Sequence, residues 1–351
     1  MKVISVCAES QYNVLVDCNW RHELLRIVNG KTRIAIVHSS AMAAQVRLAE
    51  EIDGEVFYFS VPDGEDAKSF STISKLWDWL GAAGFTRSDL IVGIGGGAIT
   101  DVAGFVAASW LRGIDWVAVP TSVAGMVDAS VGGKTGINSG YGKNLIGAFH
   151  SPISVLIDTS WLISLSDRDF SAGMAEVIKC GFICDVEIIK RLSGLSLYQL
   201  RTNRDLVIEL IERAVQVKAD VVSSDFKENF AREVLNYGHT LGHAIEIHSQ
   251  YSLRHGEAIS IGLVFAAELA EIKGYLSSKI VDMHRSLLSA LDLPTTYPRD
   301  AWSSVAALMA LDKKSRGKTL RFVAISSIGT TLRIDDANEE ELSAAYERVS
   351  R

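Results

Sequence analysis

Short apolar runs alternate with longer amphipathic segments in the first half of the chain. In chain order, these runs and segments are Thr32–Val37, Ala41–Ile52, Val56–Phe59, Phe70–Gly81, Leu90–Ile94, Ile99–Leu111 and Trp116–Val119. The longer segments carry apolar residues at helical spacing, whereas the short runs are apolar almost throughout, as in strands covered on both faces. The pattern predicts an α/β domain with a Rossmann-like parallel sheet between two layers of helices.

After about residue 160, apolar residues recur every three to four positions, which predicts helices. The segments with this spacing are Leu165–Leu192, Leu206–Val222, Arg232–Ser249, Gly256–Ile272, Ser278–Leu291 and Glu339–Val349. Two short runs, Leu320–Ile325 and Thr331–Ile334, flank Gly329 and predict a hairpin. We therefore predict an α/β domain over residues 1–160 and a mainly α-helical domain over residues 161–351.

Composition and charge exclude several classes of protein. Hydrophobic residues make up 48% of the 351 residues, which is enough for a buried core. The net charge of −7 argues against a nucleic-acid-binding protein, whose phosphate contacts need a basic surplus. No apolar run approaches the ~20 residues of a membrane helix. With no signal peptide and no disulfide spacing among the four cysteines, we predict a cytoplasmic protein with neither membrane nor nucleic-acid partners.

A glycine-rich turn joins the apolar run ending at Ile94 to the helical segment after it. Gly93, Gly95 and Ala98 match the loose dinucleotide-binding pattern, in which glycines admit a pyrophosphate and the helix N-terminus supplies N–H donors. Alone, the turn fits a tight connection without a ligand equally well. Polar turn residues also follow two other predicted strands, at Asp63-Gly64-Glu65 with Lys68 and at Pro120-Thr121-Ser122. Together these segments predict a nucleotide site at one sheet edge.

The connection between residues 128 and 144 is rich in glycine and carries two lysines. Lys134 follows two glycines, and Lys143 lies between Gly142 and Asn144. Ammonium and amide groups on a flexible connection suit the capture of a phosphate or carboxylate. A solvated basic loop is the alternative for either lysine alone. Because the chain is acidic overall, an anionic substrate would need such a local basic cluster.

Four side chains predict a divalent metal site in the second half of the chain. His239 and His243 are four residues apart and share one face of a helix, His255 follows them, and Glu176 precedes them. Two histidines and a carboxylate, with positions left open, are the ligands of a catalytic zinc site. The spacing does not identify which three of the four groups bind the ion.

Further polar residues surround the candidate ligands. Arg232 and Asn236 are spaced to share one helical stripe with His239 and His243, and Lys179 follows Glu176 by three residues. Burying such groups costs several kcal/mol unless partners or ligands satisfy them. The stripe therefore indicates a functional site rather than a core.

These motifs, in this order, resemble the dehydroquinate synthase family of sugar phosphate cyclases from about Asp63 to Phe322. The segments that carry the resemblance are PDGEDAK, GGGAITDVAGF, LRG, VPTS, VDASVGGKTGIN, GKNLIGAFHSP, GMAEVIK, VKADVV, LNYGHTLGHAIE, RHGEA and DKK. The family fold is a nucleotide-binding α/β domain followed by a helical metal-binding domain. The fold implied by the resemblance agrees with the hydrophobic pattern.

The resemblance implies residues for two cofactors, NAD and a divalent metal ion, Zn or Co. The implied NAD contacts are Asp63, Gly64, Glu65, Asp66, Ala67, Lys68, Gly97, Ala98, Ile99, Thr100, Asp101, Thr121, Ser122, Lys134, Lys143, Trp161, Leu162, Ile163 and Ser164. The implied metal ligands are Glu176, His239 and His255, which leaves His243 as a polar neighbour.

The resemblance also implies contacts with an anionic sugar acid phosphate, in a homodimer. The implied phosphate contacts are Lys134, Asn144, Asn236, His243, Lys314 and Arg112, the last from the second subunit. Lys218 and Arg232 are implied at the carboxylate end, with Asp128 and Lys179 completing the polar shell.

The implied reaction converts 3-deoxy-D-arabino-heptulosonate 7-phosphate into 3-dehydroquinate and phosphate in the shikimate pathway. Its implied steps are transient oxidation by NAD, phosphate elimination, reduction, ring opening and an intramolecular aldol closure. Thr100 departs from the family pattern, which commonly has glycine there, and Phe226 stands where an acid is frequent.

Three alternatives stay open at the level of sequence. They are a related cyclase of the amino-dehydroquinate, valiolone or inosose type, a metal-dependent polyol dehydrogenase, and a non-catalytic binding protein that kept the fold. Lys218, Arg232 and Asn236 favour a carboxylated substrate, because the related cyclases differ at the residues that hold the carboxylate and phosphate.

Overall fold

A computed structural model describes residues 1–48, 52, 54–226, 231–316 and 320–351, without the side chains of 231 and 311–316. The chain forms two compact units. The first comprises Met1–Leu165 with Lys218–Lys227, and the second comprises Ser166–Val217 with Glu228–Arg351. The functional division predicted at residues 160 and 161 stays a prediction.

The first unit is built on a seven-stranded sheet with the order β1-β2-β9-β6-β5-β3-β4. Every neighbouring pair is parallel except the antiparallel edge pair β1 and β2. Its elements are β1 (Lys2–Cys7), β2 (Gln11–Val16), α1 (Trp20–Val28), β3 (Arg33–Ser39), β4 (Glu55–Val61), α2 (Phe70–Ala82), β5 (Leu90–Gly95), α3 (Gly97–Ser109), β6 (Asp115–Pro120), β7 (Lys134–Ser139), β8 (Gly142–Phe149) and β9 (Ser154–Ile157). The predicted α/β fold with a parallel sheet is confirmed.

The central strands owe their pattern to burial on both faces. All residues of β5 and β9 are buried, and Ile34, Val92 and Val117 pack with Leu24 of α1 in one apolar cluster. Burial of apolar area contributes about 25 cal/mol per Å², so continuous apolar strands are what this layer requires.

The order of the strands places a switch point between β3 and β5. From β3 the chain moves outward to β4, and then returns to β5 on the other side of β3. In open α/β sheets the connections after two such strands diverge and leave a crevice at their carboxyl ends. Ser39 ends one strand and Gly95 ends the other.

The predicted helix over Ala41–Ile52 is wrong for its described part. Only Ser40–Met42 forms a 3-10 turn, and residues 46–48 are irregular. The backbone N–H of Ala41 donates to Asp63 Oδ1, and that of Leu48 donates to the hydroxyl of Tyr58. Side-chain acceptors thus take donors that a helix would use within its own backbone.

The predicted flexible connection around Lys134 and Lys143 is also wrong. Both lysines lie in an antiparallel hairpin of β7 and β8, which pair from Lys134–Phe149 to Ser139–Gly142. Gly136 and Gly147 face each other in this register. The two strands are held by backbone pairing, and glycine-rich segments lack the side-chain pattern by which a strand is recognised in a sequence.

The second unit is mainly helical, as predicted. Its elements are α4 (Asp167–Ile183), α5 (Val186–Leu192), α6 (Leu197–Thr202), α7 (Arg204–Ser224), a 3-10 helix (Ala231–Asn236), α8 (His239–His248), α9 (His255–Ile272), α10 (Ser278–Ala290), α11 (Trp302–Arg316), β10 (Phe322–Ser327), β11 (Thr330–Ile334) and α12 (Glu339–Arg348). The part of α7 from Lys218 onward belongs to the first unit. Gly256 and every residue from 258 to 270 of α9 are buried. Helix α9 is therefore at the core of this unit.

The predicted continuous helix over Arg232–Ser249 is wrong. The chain leaves the 3-10 helix at Asn236 and passes through Gly238, whose φ of 79° is left-handed, before α8 begins at His239. Arg232 and Asn236 thus do not share one helical stripe with His239. A left-handed residue stops an α-helix, and glycine adopts that conformation without a steric penalty.

A glycine contact sets how closely α9 approaches the start of α8. A Cβ at Gly262 would lie 1.9 Å from the carbonyl oxygen of Gly238, inside any permitted contact. Helix α9 can therefore pass this close to the turn only because residue 262 has no side chain. Among the described residues, no helix is both long and apolar enough to cross a membrane.

We expect Gly262→Ala to lower the free energy of unfolding by at least about 1–3 kcal/mol, because the added methyl overlaps backbone that cannot rotate away. Gly140→Ala is the matched control, since a Cβ at Gly140 has nothing within 4 Å. Thermal and urea unfolding midpoints of the two variants measure the difference. Equal midpoints would show that the turn yields easily.

Candidate active site: a nucleotide turn and a metal centre

The N-terminus of α3 forms the centre of the candidate nucleotide site in the first unit. Gly96 precedes the helix in an extended conformation and Gly97 begins it. A Cβ at Gly97 would lie 2.9 Å from Cβ of Ala129, so the turn has no room for a side chain. The first N–H groups of a helix lack partners within the helix and carry its positive dipole end, which suits a pyrophosphate.

Lys68 links three segments beside this turn. Its buried ammonium lies 2.5 Å from Asp101 Oδ2 on α3 and donates to Asn144 Oδ1 on β8. Burial raises the pKa of Asp101, and the Lys68 charge opposes that rise. The contacts of Lys68 with Asp101 and Asn144 hold together the turn after β4, the first part of α3 and the β7–β8 hairpin.

Asn138 completes this network and was missed in the sequence analysis. Its amide donates to Glu65 Oε1 at 2.8 Å, its Oδ1 accepts from the Asn144 N–H at 2.9 Å, and its own N–H donates to the Lys68 carbonyl. Asn144 has a left-handed φ of 56°. Asn138 lies inside the VDASVGGKTGIN motif, yet only the hairpin pairing reveals what it contacts.

Ser40 was also missed, and it holds Asp63 at the switch point. Ser40 Oγ donates to Asp63 Oδ2 at 2.8 Å, and the Ala41 N–H donates to the other oxygen. The bond from Ser40 is the main reason that the pKa of Asp63 is lowered. No sequence signal marks Ser40, because the order of the strands brings it to Asp63.

The remaining implied NAD contacts lie at several strand ends of the same unit. Thr121 follows β6 and donates its N–H to the Gly95 carbonyl, and Ser122 Oγ accepts from the Gly125 N–H. Trp161–Ile163 belong to a short 3-10 segment that Ser164 follows, and Trp161 stacks on Trp20 at 5.9 Å. Thr100 is buried and donates to the Gly97 carbonyl, so its hydroxyl is used within the helix.

Asp128 and Lys218 form an ion pair in the first unit. Asp128 lies in a π-helical turn, Gly125–Ala129, and Lys218 comes from the last part of α7. Single π turns often occur at functional sites. Ala129 of this turn packs on Gly97, so the pair lies beside the nucleotide turn.

Arg112 is exposed beyond the far end of α3, in a 3-10 turn where its φ is 66°. The 13 residues of α3 span roughly 20 Å at 1.5 Å per residue, so Arg112 lies about that far from Gly97 in the same chain.

Three side chains of the second unit converge as the metal prediction requires. Glu176 comes from the middle of α4, His239 begins α8 and His255 begins α9. Glu176 Oε1 lies 3.7 Å from His239 Nε2 and 3.3 Å from His255 Nε2. One ligand atom from each side chain lies within 4.8 Å of the other two. This oxygen–nitrogen–nitrogen set fits a divalent zinc or cobalt ion.

The outer nitrogens of both histidines point to acceptors. His239 Nδ1 lies 3.1 Å from the Tyr237 carbonyl oxygen, and His255 Nδ1 lies 3.1 Å from Glu246 Oε2. Each Nδ1 therefore donates, which leaves Nε2 to face Glu176. Metal-binding histidines typically have this arrangement, because the outer acceptor fixes the tautomer and the ring orientation.

The two histidines differ in their protonation without metal. Burial and the Lys179 ammonium hold the pKa of His239 well below its usual range, so its ring is neutral. Burial also favours neutral His255, but its hydrogen bonds to Glu176 and Glu246 raise its pKa to about 10. A divalent ion would take the place of the proton between His255 Nε2 and Glu176.

Ion pairs hold α4 and α9 together near their N-termini. Arg168 on α4 binds both carboxylate oxygens of Glu257 on α9, at 2.6 and 2.7 Å. Arg254, just before α9, donates to Asp169 on α4 at 2.7 Å. Two opposed pairs, one bidentate, restrain the start of α9 and hence His255.

The other implied residues of the second unit differ in how far they are buried. Lys179 is 2% exposed and pairs with the second oxygen of Glu176. His243 is exposed, with its ring 5.2 Å from His239 and 6.0 Å from His255. Arg232 is buried and Asn236 half-buried, in the 3-10 helix before α8. The side chain of Lys314 lies outside the described residues.

The fold is that of solved sugar phosphate cyclases. The solved 2-epi-5-epi-valiolone synthase from Streptomyces hygroscopicus, with NAD⁺ and Zn²⁺ bound, is similar with a TM-score of 0.88 and 26% identity, covering 99% of this chain and 98% of that one. Residues 58–172 match the 3-dehydroquinate synthase N-terminal family and residues 173–315 the C-terminal family. The chain belongs to the 3-dehydroquinate synthase family.

Two full-length relatives agree with this membership. The 3-dehydroquinate synthase of Paenarthrobacter aurescens is 48% identical over 355 residues, covering 100% of this chain and 98% of the relative. That of Thermobifida fusca is 47% identical over 344 residues, covering 97% and 94%. The family resemblance seen in the sequence is confirmed.

Tyr237, whose carbonyl orients His239, is itself anchored by a buried hydrogen bond of its side chain. The Tyr237 hydroxyl lies 2.9 Å from His284 Nε2, while His284 Nδ1 donates to the Ile280 carbonyl and its ring stacks on Phe182 at 3.5 Å. His284 is therefore neutral and accepts from Tyr237, in keeping with a pKa lowered by burial to about 4.

We expect Tyr237→Phe to lower the free energy of unfolding by about 1–3 kcal/mol, because it leaves the buried His284 nitrogen without its donor. Tyr141→Phe, at a ring that is 99% exposed, serves as the control and should change nothing. Urea unfolding followed by circular dichroism measures both. An unchanged midpoint in Tyr237→Phe would contradict the assigned hydrogen bond.

Proposed function

We propose that the protein converts 3-deoxy-D-arabino-heptulosonate 7-phosphate into 3-dehydroquinate and phosphate. The observation that carries this proposal is the meeting of Glu176, His239 and His255, in a chain of the 3-dehydroquinate synthase family. The cofactors are NAD and a divalent zinc or cobalt ion. When bound, NAD supplies reversible acceptance of a hydride, and the ion supplies Lewis acidity at a hydroxyl or carbonyl oxygen.

The proposed NAD contacts belong to residues 1–160, apart from Trp161–Ser164 just after the boundary, and the metal ligands belong to residues 161–351. The network of Lys68, Asn138 and Asn144 would hold the turn at Gly97 in shape before the cofactor binds. Asp63, held by Ser40, offers a carboxylate acceptor at the switch point, where a ribose hydroxyl could bind. A fixed binding surface reduces the entropy lost on binding.

Cationic side chains that are already paired would receive the anionic substrate. Lys179 neutralises one oxygen of Glu176, and Lys218 pairs with Asp128, so both ammonium groups are oriented rather than free to rotate. Lys134, Asn144, Asn236, His243, Lys314 and Arg112 are proposed for the phosphate, and Lys218 and Arg232 for the carboxylate. Buried Arg232 suits a carboxylate, because a guanidinium binds both oxygens at once.

The proposed enzyme is a cytoplasmic homodimer in which Arg112 acts on the partner's site. Arg112 is exposed beyond the far end of α3, where a second subunit can contact it. All four cysteines are free thiols, as a reducing compartment maintains them.

We expect the protein to release inorganic phosphate from the heptulosonate phosphate, with an equal amount of a cyclic keto acid and no net NADH. NAD⁺ and divalent metal should both be required in catalytic amounts. Phosphate assay, mass spectrometry and absorbance at 340 nm measure the three quantities. Steady NADH formation with glycerol would instead indicate a polyol dehydrogenase. Turnover only of a heptulose phosphate lacking the carboxylate would indicate a related cyclase.

We expect His255→Ala to lose bound metal and activity together while retaining NAD⁺ binding, since NAD⁺ binds residues of the first unit. His22→Ala is the control, because that side chain is 68% exposed on α1. Metal content per chain after gel filtration and NAD⁺ affinity by calorimetry are the measurements. Full metal occupancy in His255→Ala would refute the ligand assignment.

A further inference from the structure

Helix α8 carries a buried carboxylate that the proposed reaction does not use. Glu246 lies seven residues after His239, its side chain is 5% exposed, and its Oε2 lies 3.1 Å from His255 Nδ1. We propose that Glu246 is a positioning residue of the metal centre, which orients His255 and strengthens its bond to the ion. The proposal rests on the metal site assigned above.

Two carboxylates hold the His255 ring from opposite sides. Glu176 Oε1 is 3.3 Å from Nε2, and Glu246 Oε2 is 3.1 Å from Nδ1. His255 begins α9 directly after an irregular connection, so no preceding turn of helix supports it. An acceptor on Nδ1 fixes the tautomer in which the Nε2 lone pair faces Glu176, and it makes that lone pair more basic.

The charge of Glu246 also offsets part of the charge of a dication. Glu176 is already paired with the buried ammonium of Lys179, so these two side chains together carry no net charge. His239 and a metal-bound His255 are neutral. Glu246 adds a negative charge beside His255, in a buried setting where charges are weakly screened.

A second ion is the rival explanation, because ligand atoms of His243, Glu246 and His255 also lie within 4.8 Å of one another. Such an ion would take His255 Nδ1 and remove its hydrogen bond to Glu246. The His255 ring would then have to bind two ions through both nitrogens, which requires the loss of both ring protons. If His255 instead keeps its Nδ1 proton and donates it to Glu246, the ring binds one ion and loses only one proton.

The test compares zinc affinity of the holoenzyme and its variants by competition with a chelator. We expect Glu246→Ala to bind Zn²⁺ about 10- to 100-fold more weakly, the usual effect of losing such an outer partner. Glu246→Gln should lose less, because its amide oxygen still accepts from Nδ1 without supplying charge. Glu268→Gln is the matched control. Glu268 is equally buried but pairs with Arg285 and Arg348, so its loss should lower stability without changing zinc affinity.

A spectroscopic measurement separates positioning from general destabilisation. In the Co²⁺-substituted protein, the Nδ1 protons of coordinated histidines give paramagnetically shifted, exchangeable NMR signals. Glu246→Ala should lose the His255 signal to solvent exchange and keep that of His239, which the Tyr237 carbonyl protects. Glu246→Gln should keep both, with the His255 signal shifted.

Either of two results would overturn the proposal. They are wild-type zinc affinity in Glu246→Ala, and a wild-type protein that binds two ions per chain of which Glu246→Ala loses one. The His255→Ala variant distinguishes the failures. If His255→Ala keeps its metal, the metal site itself is wrong. If it loses metal while Glu246→Ala does not, only the role of Glu246 is refuted.

Discussion

The metal cluster depends on how closely three helices approach one another. Its candidate ligands come from the middle of α4 and from the first residues of α8 and α9, so no local sequence motif can assemble it. The approach of α9 to the turn before α8 is set by backbone contact at Gly262 and Gly238. The salt bridges of Arg168 and Arg254 then fix α9 against α4. Rigid backbone support of this kind keeps ligand atoms within a few tenths of an ångström.

Both units contain buried lysines that pair with a carboxylate. Lys68, Lys179 and Lys218 each contact a carboxylate, although the chain carries a net charge of −7. Pairing lowers the cost of burying each ammonium, and it holds the group in one place. An acidic protein can thus present oriented positive groups to an anionic substrate, without a basic surface that would attract other polyanions.

The fold alone does not set the substrate of this chain. A valiolone synthase shares it with a TM-score of 0.88 at 26% identity, and the catalytic unit of a cyclase can therefore serve different sugars. Differences must lie in side chains that contact substrate, the role proposed here for Arg232 and Lys218. Glu246 belongs to a different category, since it would act on the metal ligand His255 rather than on the substrate.

The sequence by itself determined the two kinds of unit, the glycine turn before α3 and the four groups from which the metal ligands come, because these depend on local spacing and composition. Tertiary structure decided which atoms meet. It broke the helix before His239 at Gly238, paired the glycine-rich segment into β7 and β8, and brought Ser40, Asn138 and Glu246 to their partners. Those contacts join residues of different elements, and periodicity along one segment carries no information about them.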